Sequence, residues 1–167
     1  EILSSVFRSQ LPQIKKVEFN VETQALGENG APIMITQSEY MRRMKEMANI
    51  QAGMSFYGEM PNMYNLVLNA DHKLVKQVLT DADNSCKAAL EPIESEMANL
   101  NNRRKELQKA QEGKKTEDIP QAEKDELNDI EKKISDETTK KQAVLGEYAN
   151  GNKIIHQLID LALLQNN

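Results

Sequence analysis

Two arms that repeat apolar residues every three and four positions, parted by a stretch holding one glycine and one proline, constrain this chain more than any other feature. In the first arm Cys86, Leu90, Ile93, Met97, Leu100, Arg104 and Leu107 are separated by 4, 3, 4, 3, 4 and 3 positions. That is a heptad seam. In the second arm Leu127, Ile130, Ile134, Glu137, Lys141, Val144 and Tyr148 keep the same rhythm. Between them lies Gln111 to Pro120, where Gly113 and Pro120 mark a turn. Folding there sets Leu107 beside Leu127, Leu100 beside Ile134 and Leu90 beside Val144. Each arm has roughly 25 residues, about 38 Å of α-helix. The expectation is an antiparallel coiled-coil hairpin over 81–149, projecting from the rest, with a core thinned by Arg104, Glu137 and Lys141 on the seam.

Composition divides at the same places. Between Asp81 and Asn150 there are 12 Lys+Arg and 17 Asp+Glu, a net of −5, and the rest of the chain is balanced at 9 and 9. Seven of the eight methionines lie between Met34 and Met63, with Met97 the exception. Of the aromatics only Tyr148 falls inside the charged stretch. A charged spacer therefore interrupts a neutral, methionine-rich domain made of 1–80 and 150–167.

That domain reads as α+β. Leu3, Val6, Phe7 and Gln10 stand at helical spacing, and Pro12 ends the helix. Val17, Phe19 and Val21 alternate with polar residues, the period of a half-buried strand. Gly27-Glu28-Asn29-Gly30 suits a tight turn, and 32–36 reads as the returning, antiparallel strand. A third strand is expected at 64–68. The whole is a small antiparallel or mixed three-stranded sheet with helices. Asn69 is then a good N-cap for a helix with Leu74, Val75, Val78 and Leu79 on one face, and Asp71 suits its positive end. The last segment, 152–164, is apolar almost all round, so it is expected to be buried on more than one side and to need a second chain for part of its surface.

Several function classes fall. The longest apolar runs are far short of the ~20 residues that cross a bilayer, and no signal sequence opens the chain. The opening residue is Glu1, not an initiator methionine, as in a piece of a longer protein. A single cysteine excludes an internal disulfide and fits the reducing cytoplasm. An acidic sequence pI near 5.2 argues against nucleic acid as a partner. His72 and His156 lie 84 positions apart, with no metal-ligand spacing around either. His72 reads as a helix-start residue, His156 as a surface one, and Cys86 as an inert seam residue. Gly113-Lys114-Lys115-Thr116 fails as a phosphate loop, because Gln108 stands at the first glycine's position and Lys115 at the magnesium-binding hydroxyl's. No catalytic group emerges, and no metal site.

One segment stands apart. Ser38 can cap a helix on which Met41, Met44 and Met47 form a stripe, followed by Met54, Phe56, Tyr57, Met60 and Met63. Two readings are open. The stripe is core, with methionine filling gaps, or it is an adaptable apolar surface that repacks against many partners.

The run Tyr40-Met41-Arg42-Arg43-Met44-Lys45-Glu46-Met47 and the element formed by Leu68, Asn69, His72, Leu74 and Val75 resemble the C-terminal domain of the ninety-kilodalton heat-shock chaperones, its bacterial members above all. Residues 157–164 are similar to the first dimerisation helix of that domain. The resemblance covers 1–80 and 150–167. It implies an ATP-dependent folding chaperone working as a homodimer on unfolded clients, cytoplasmic, with neither nucleic acid nor membrane as partner.

By position, the family's client-facing helix is Ser38–Ile50. The implied client contacts are Tyr40, Met41, Met44 and Met47, extended to Met54, Phe56, Tyr57 and Met60. The implied dimer contacts are Ile154, Ile155, Leu158, Ile159, Leu161 and Ala162. ATP and magnesium belong to other domains of the family, so this chain is expected to be no enzyme and to carry no cofactor. The family's second dimerisation helix would follow Asn167. About the hairpin the resemblance says nothing, and an adaptor that recruits a partner through it is the alternative reading.

Overall fold

A computed structural model describes residues 1–51 and 59–165 of the chain. The described elements are α1 (Ile2–Gln10), β1 (Val17–Gln24), β2 (Ile33–Gln37), α2 (Glu39–Ile50), β3 (Asn62–Asn69), α3 (Lys73–Gln111), α4 (Gln121–Asn150) and α5 (Lys153–Gln165). They form two compact units, Glu1–Asn84 with Gly146–Asn167, and Ser85–Leu145.

The first unit is α+β, built on a mixed sheet of order β1-β3-β2. β3 runs parallel to β1, from Val17 opposite Asn62 to Gln24 opposite Asn69. β2 runs antiparallel to β3, from Ile33 opposite Leu68 to Gln37 opposite Tyr64. The hairpin expected between 17–21 and 32–36 therefore does not form, because β3 lies between the two strands. Burial explains the order. β3 buries Leu66, Val67, Leu68 and Asn69 in succession, so both of its faces are covered, as in a central strand. β1 leaves Glu18 and Asn20 exposed, which suits an edge.

Helix α1 buries Leu3, Val6 and Phe7, as their spacing requires, and packs on β1 and α5. The helix ends at Gln10, two residues before Pro12. The turn at 27–30 closes with Gly30 N–H donating to Gly27 O at 3.1 Å, and Gly27 has φ +85°. Only glycine adopts that conformation without strain.

Asn69 does not cap α3. It is the last residue of β3, and the helix begins at Lys73. The cap is His72, whose Nδ1 accepts from Leu74 N–H at 3.1 Å while its carbonyl accepts from Lys76 N–H at 3.0 Å. The imidazole nitrogen here does what the Asn or Ser oxygen does at other helix starts. Val75, Val78 and Ala82 face the core; Leu74 and Leu79 are exposed, so the buried face is narrower than expected.

Helix α3 contributes Lys73–Asn84 to the first unit and Ser85–Gln111 to the second, without interruption. Pro92 lies inside it and withholds one N–H from the hydrogen-bond ladder.

In the second unit the arms of α3 and α4 meet around Leu100, Leu107 and Ile130, with Leu127 and Ile134 partly buried beside them. α3 ends at Gln111, and Gly113, two residues on, has φ +77°, the left-handed C′ position that closes many helices. A short 3-10 turn at Thr116–Asp118 follows, and Pro120 O accepts the first N–H bonds of α4. Of the polar seam positions, Lys141 places Nζ 3.6 Å from Glu94 Oε1 of the other arm and Glu137 accepts from Lys140 Nζ at 2.9 Å, while Arg104 Nε is buried without a hydrogen-bond partner. Beside the seam, Arg103 holds Glu126 through two bonds of 2.7 and 3.2 Å.

This unit holds 12 Lys+Arg and 14 Asp+Glu, a net of −2. Asp81, Asp83 and Glu147, which completed the −5 of the longer stretch, belong to the first unit.

Candidate functional site

Helix α2 begins where Ser38 Oγ accepts from Met41 N–H at 3.5 Å, with Glu39 in the first turn favouring the helix dipole. Its polar side is laced by Arg43–Glu39 and Arg42–Glu46 pairs at 2.6 and 2.5 Å. All four side chains are solvated, so each pair contributes only about 0.3–0.5 kcal/mol.

On the other side Met47, Tyr40, Met44, Ala48 and Met41 succeed one another across about 120° of the helix circumference. Burial changes along that arc. Ala48 is the one buried residue of α2; Met41 and Met44 flank it half-buried. Tyr40 is 68% and Met47 44% exposed. The stripe is thus neither core nor free surface: one margin is seated and the other is open. Lys45 Nζ donates to Asn62 Oδ1 at 2.8 Å, tying the helix to the start of β3. Next to Asn62, Met63 is 42% exposed, and Met60 is half-buried. Met54, Phe56 and Tyr57 lie outside the described residues. Ile50, 83% exposed at the end of α2, adds to the open apolar surface and was missed in the sequence. It lies off the methionine stripe, and only burial reveals it.

Helix α5 has two apolar faces with different fates. Ile155, Leu158, Ile159 and Ala162 are buried in the first unit's own core, where α5 packs on α1 and β2. These four stabilise this chain itself. Ile154 is half-buried, Leu161 is 42% exposed and Leu164 71%. Leu164 joins Leu161 on the open side, at the three-residue spacing that places two side chains on one face.

The helix start is held by Asn152, whose Oδ1 accepts from Ile155 N–H at 3.1 Å and whose Nδ2 donates to Tyr148 Oη at 2.9 Å. Tyr148 Oη donates in turn to Asp81 Oδ2 at 2.5 Å. His156 Nε2 lies 3.0 Å from Asn150 O.

Four of the five residues that define the Leu68–Val75 element have a structural task, and Leu74 is exposed. Leu68 and Val75 are fully buried, Asn69 holds the preceding turn and His72 caps α3. Cys86 is buried within its helix. Among the described residues no three or more His, Cys, Asp or Glu side chains group as metal ligands, and no helix is long and apolar enough to cross a membrane. Clear shifts in acidity occur in ion pairs of the hairpin. A hydrogen bond from Arg103 lowers the Glu126 carboxyl, and bonds to Asp129 and Glu137 raise Lys133 and Lys140.

Three curated relatives align with nearly all of this chain. The chaperone protein HtpG of Bacteroides fragilis is 66% identical and that of Bacteroides thetaiotaomicron 63%, each over all 167 residues. The HtpG of Porphyromonas gingivalis is 44% identical over 164 residues, 97% of the chain. Those alignments run through the hairpin, so the relatives share that segment as well. The chain spans 24% of the length of each relative. No family model and no solved structure matches it. Identity at this level along the whole chain marks it as a segment homologous to part of the proteins named HtpG chaperones.

Proposed function

We propose that this chain is the C-terminal dimerisation and client-contact segment of a cytoplasmic, ATP-dependent HtpG chaperone. Nucleotide and magnesium are then bound elsewhere in the full-length protein, and this segment performs no chemistry.

The observation that carries the client reading is the half-seated stripe of α2. Seating Ala48 between Met41 and Met44 fixes the helix, while Tyr40, Met47 and Ile50 stay open to solvent. Methionine suits such a margin: three rotatable bonds and a polarisable sulfur let it follow differently shaped apolar partners at low cost. The dimer reading draws support from α5, whose buried face is satisfied within the chain while Leu161 and Leu164 remain exposed.

The adaptor reading gains nothing from the hairpin, since no large hydrophobic residue of Ser85–Leu145 is exposed and a binding surface needs buried anchors.

The test is the double substitution Met44→Glu with Met47→Glu in the full-length chaperone. Folding, followed by circular dichroism and thermal unfolding, is expected to persist while capture of an unfolded client weakens. Loss of folding would show the stripe to be core and end the client reading. Replacing 85–145 by a short linker should leave client capture in place; losing a partner but not clients would favour the adaptor.

A further inference from the structure

The methionines described in this chain differ in access to solvent. Among the described residues Met47 and Met63 are exposed, at 44% and 42%, while Met34, Met41, Met44, Met60 and Met97 are half-buried. The chain has no tryptophan, and its only cysteine is 3% exposed on the buried side of α3. In most proteins a hydroperoxide reacts first with an accessible thiolate. Here that route is closed, and the accessible soft nucleophiles are thioethers.

Met47 also sits where polarity matters, at the open margin of the α2 stripe. Met63 is exposed at the start of β3. Turning the Met47 thioether into a sulfoxide puts a strong dipole and a hydrogen-bond acceptor into an apolar surface, which then binds apolar partners less well.

We propose that Met47 and Met63 are peroxide-modification sites and that oxidation of Met47 to the sulfoxide reversibly switches off the apolar contact surface; the switch rests on the client reading above, and the sites do not. In the reaction the thioether sulfur attacks one oxygen of the hydroperoxide. The O–O bond breaks, an S–O bond forms, and the second oxygen leaves as water when the oxidant is hydrogen peroxide. Sulfur loses two electrons and the peroxide gains them. A thiol-dependent sulfoxide reductase returns them: two thiols become a disulfide, the S–O bond breaks and water leaves.

The experiment exposes the full-length chaperone to dilute hydrogen peroxide, alkylates it, and maps added oxygen by peptide mass spectrometry beside a client-capture assay. Met47 and Met63 are expected to gain one oxygen before Met34, Met41, Met44 and Met97, with Cys86 still a thiol. Capture is expected to fall severalfold and to return after sulfoxide reductase. The double variant Met47→Leu with Met63→Leu, which removes both sulfurs, should lose no further capture on peroxide treatment, whatever its starting level. Oxidation of Met97 or Cys86 ahead of Met47 and Met63 would overturn the sites. Equal loss of capture in parent and leucine variant would overturn the switch, as would unchanged capture in fully oxidised protein. In that last case the Met44→Glu, Met47→Glu variant shows whether the client reading falls as well: if it still weakens capture, only the switch is lost.

Discussion

The Nδ2 of Asn69 donates to Gly27 O at 2.8 Å, across 42 positions of chain. Its Oδ1 accepts from Leu26 N–H at 3.1 Å and from Asp71 N–H at 3.0 Å. Asn69 is the one fully buried polar side chain among the described residues, and it replaces in one step the water that three backbone groups would otherwise need. Asn69→Ala should therefore destabilise the chain by about 2 kcal/mol, the usual cost of leaving buried backbone groups unpaired. The midpoint of urea unfolding checks this, and an unchanged midpoint would mean that water substitutes freely.

Asp81, Tyr148 and Asn152 form a chain of hydrogen bonds that joins α3, α4 and the start of α5 within the first unit. Removing the phenolic hydroxyl keeps the ring and breaks both bonds. Tyr148→Phe is expected to cost about 1 kcal/mol, below the usual range for bonds to a charged group because the site is partly solvated. Thermal unfolding measures it; Asp81→Asn, which keeps an acceptor, should cost less.

Gly113 closes the first arm of the hairpin at φ +77°, and a Cβ there would meet nothing within 4 Å. Any cost of Gly113→Ala thus comes from backbone conformation alone, about 1 kcal/mol for a left-handed L-residue. Gly113→Asn should recover much of it, since Asn tolerates that region. Hydrogen exchange of hairpin amides would register both changes, and equal protection in all three proteins would refute the argument.

Glu126 receives two hydrogen bonds from Arg103, which hold its carboxyl below the ordinary value of about 4.3. A folded-state acidity shifted in that direction stabilises the hairpin above the unfolded value, and the contribution disappears as pH falls through the folded one. Acid titration of the native protein should thus show the cross-arm contact opening only below the ordinary carboxylate range. Glu126→Gln should remove that component, whereas a profile unchanged by the substitution would assign the acid sensitivity elsewhere.

Much of the fold was legible in order along the chain. Heptad spacing located both arms, Gly113 and Pro120 bounded the turn, and Leu3, Val6 and Phe7 marked the buried face of α1. These signals are local: each depends on the period with which side chains recur on one helix. The pairing of strands was not legible in the same way. Alternation at 17–21 and a turn at 27–30 suggested neighbours, but pairing is decided by which strand can be covered on both faces, and that strand is β3, 38 residues further from β1. His72 as the cap of α3 was also hidden, because Asn69 is the better cap by type but is used elsewhere.

The candidate surfaces divide in the same way. Residue types and spacing by themselves determined that α2 carries a methionine stripe and that α5 is apolar on more than one side. Which part of each apolar face is open was decided only by tertiary packing. Sequence period assigns a side chain to a face, but exposure depends on what the rest of the chain lays against it. Ala48 is seated while Met47, its neighbour, is not; Ile155 and Leu158 are buried while Leu161 is open. Those differences arise from contacts between segments distant in sequence, and on them rest both the client-contact reading and the selective oxidation of Met47 and Met63.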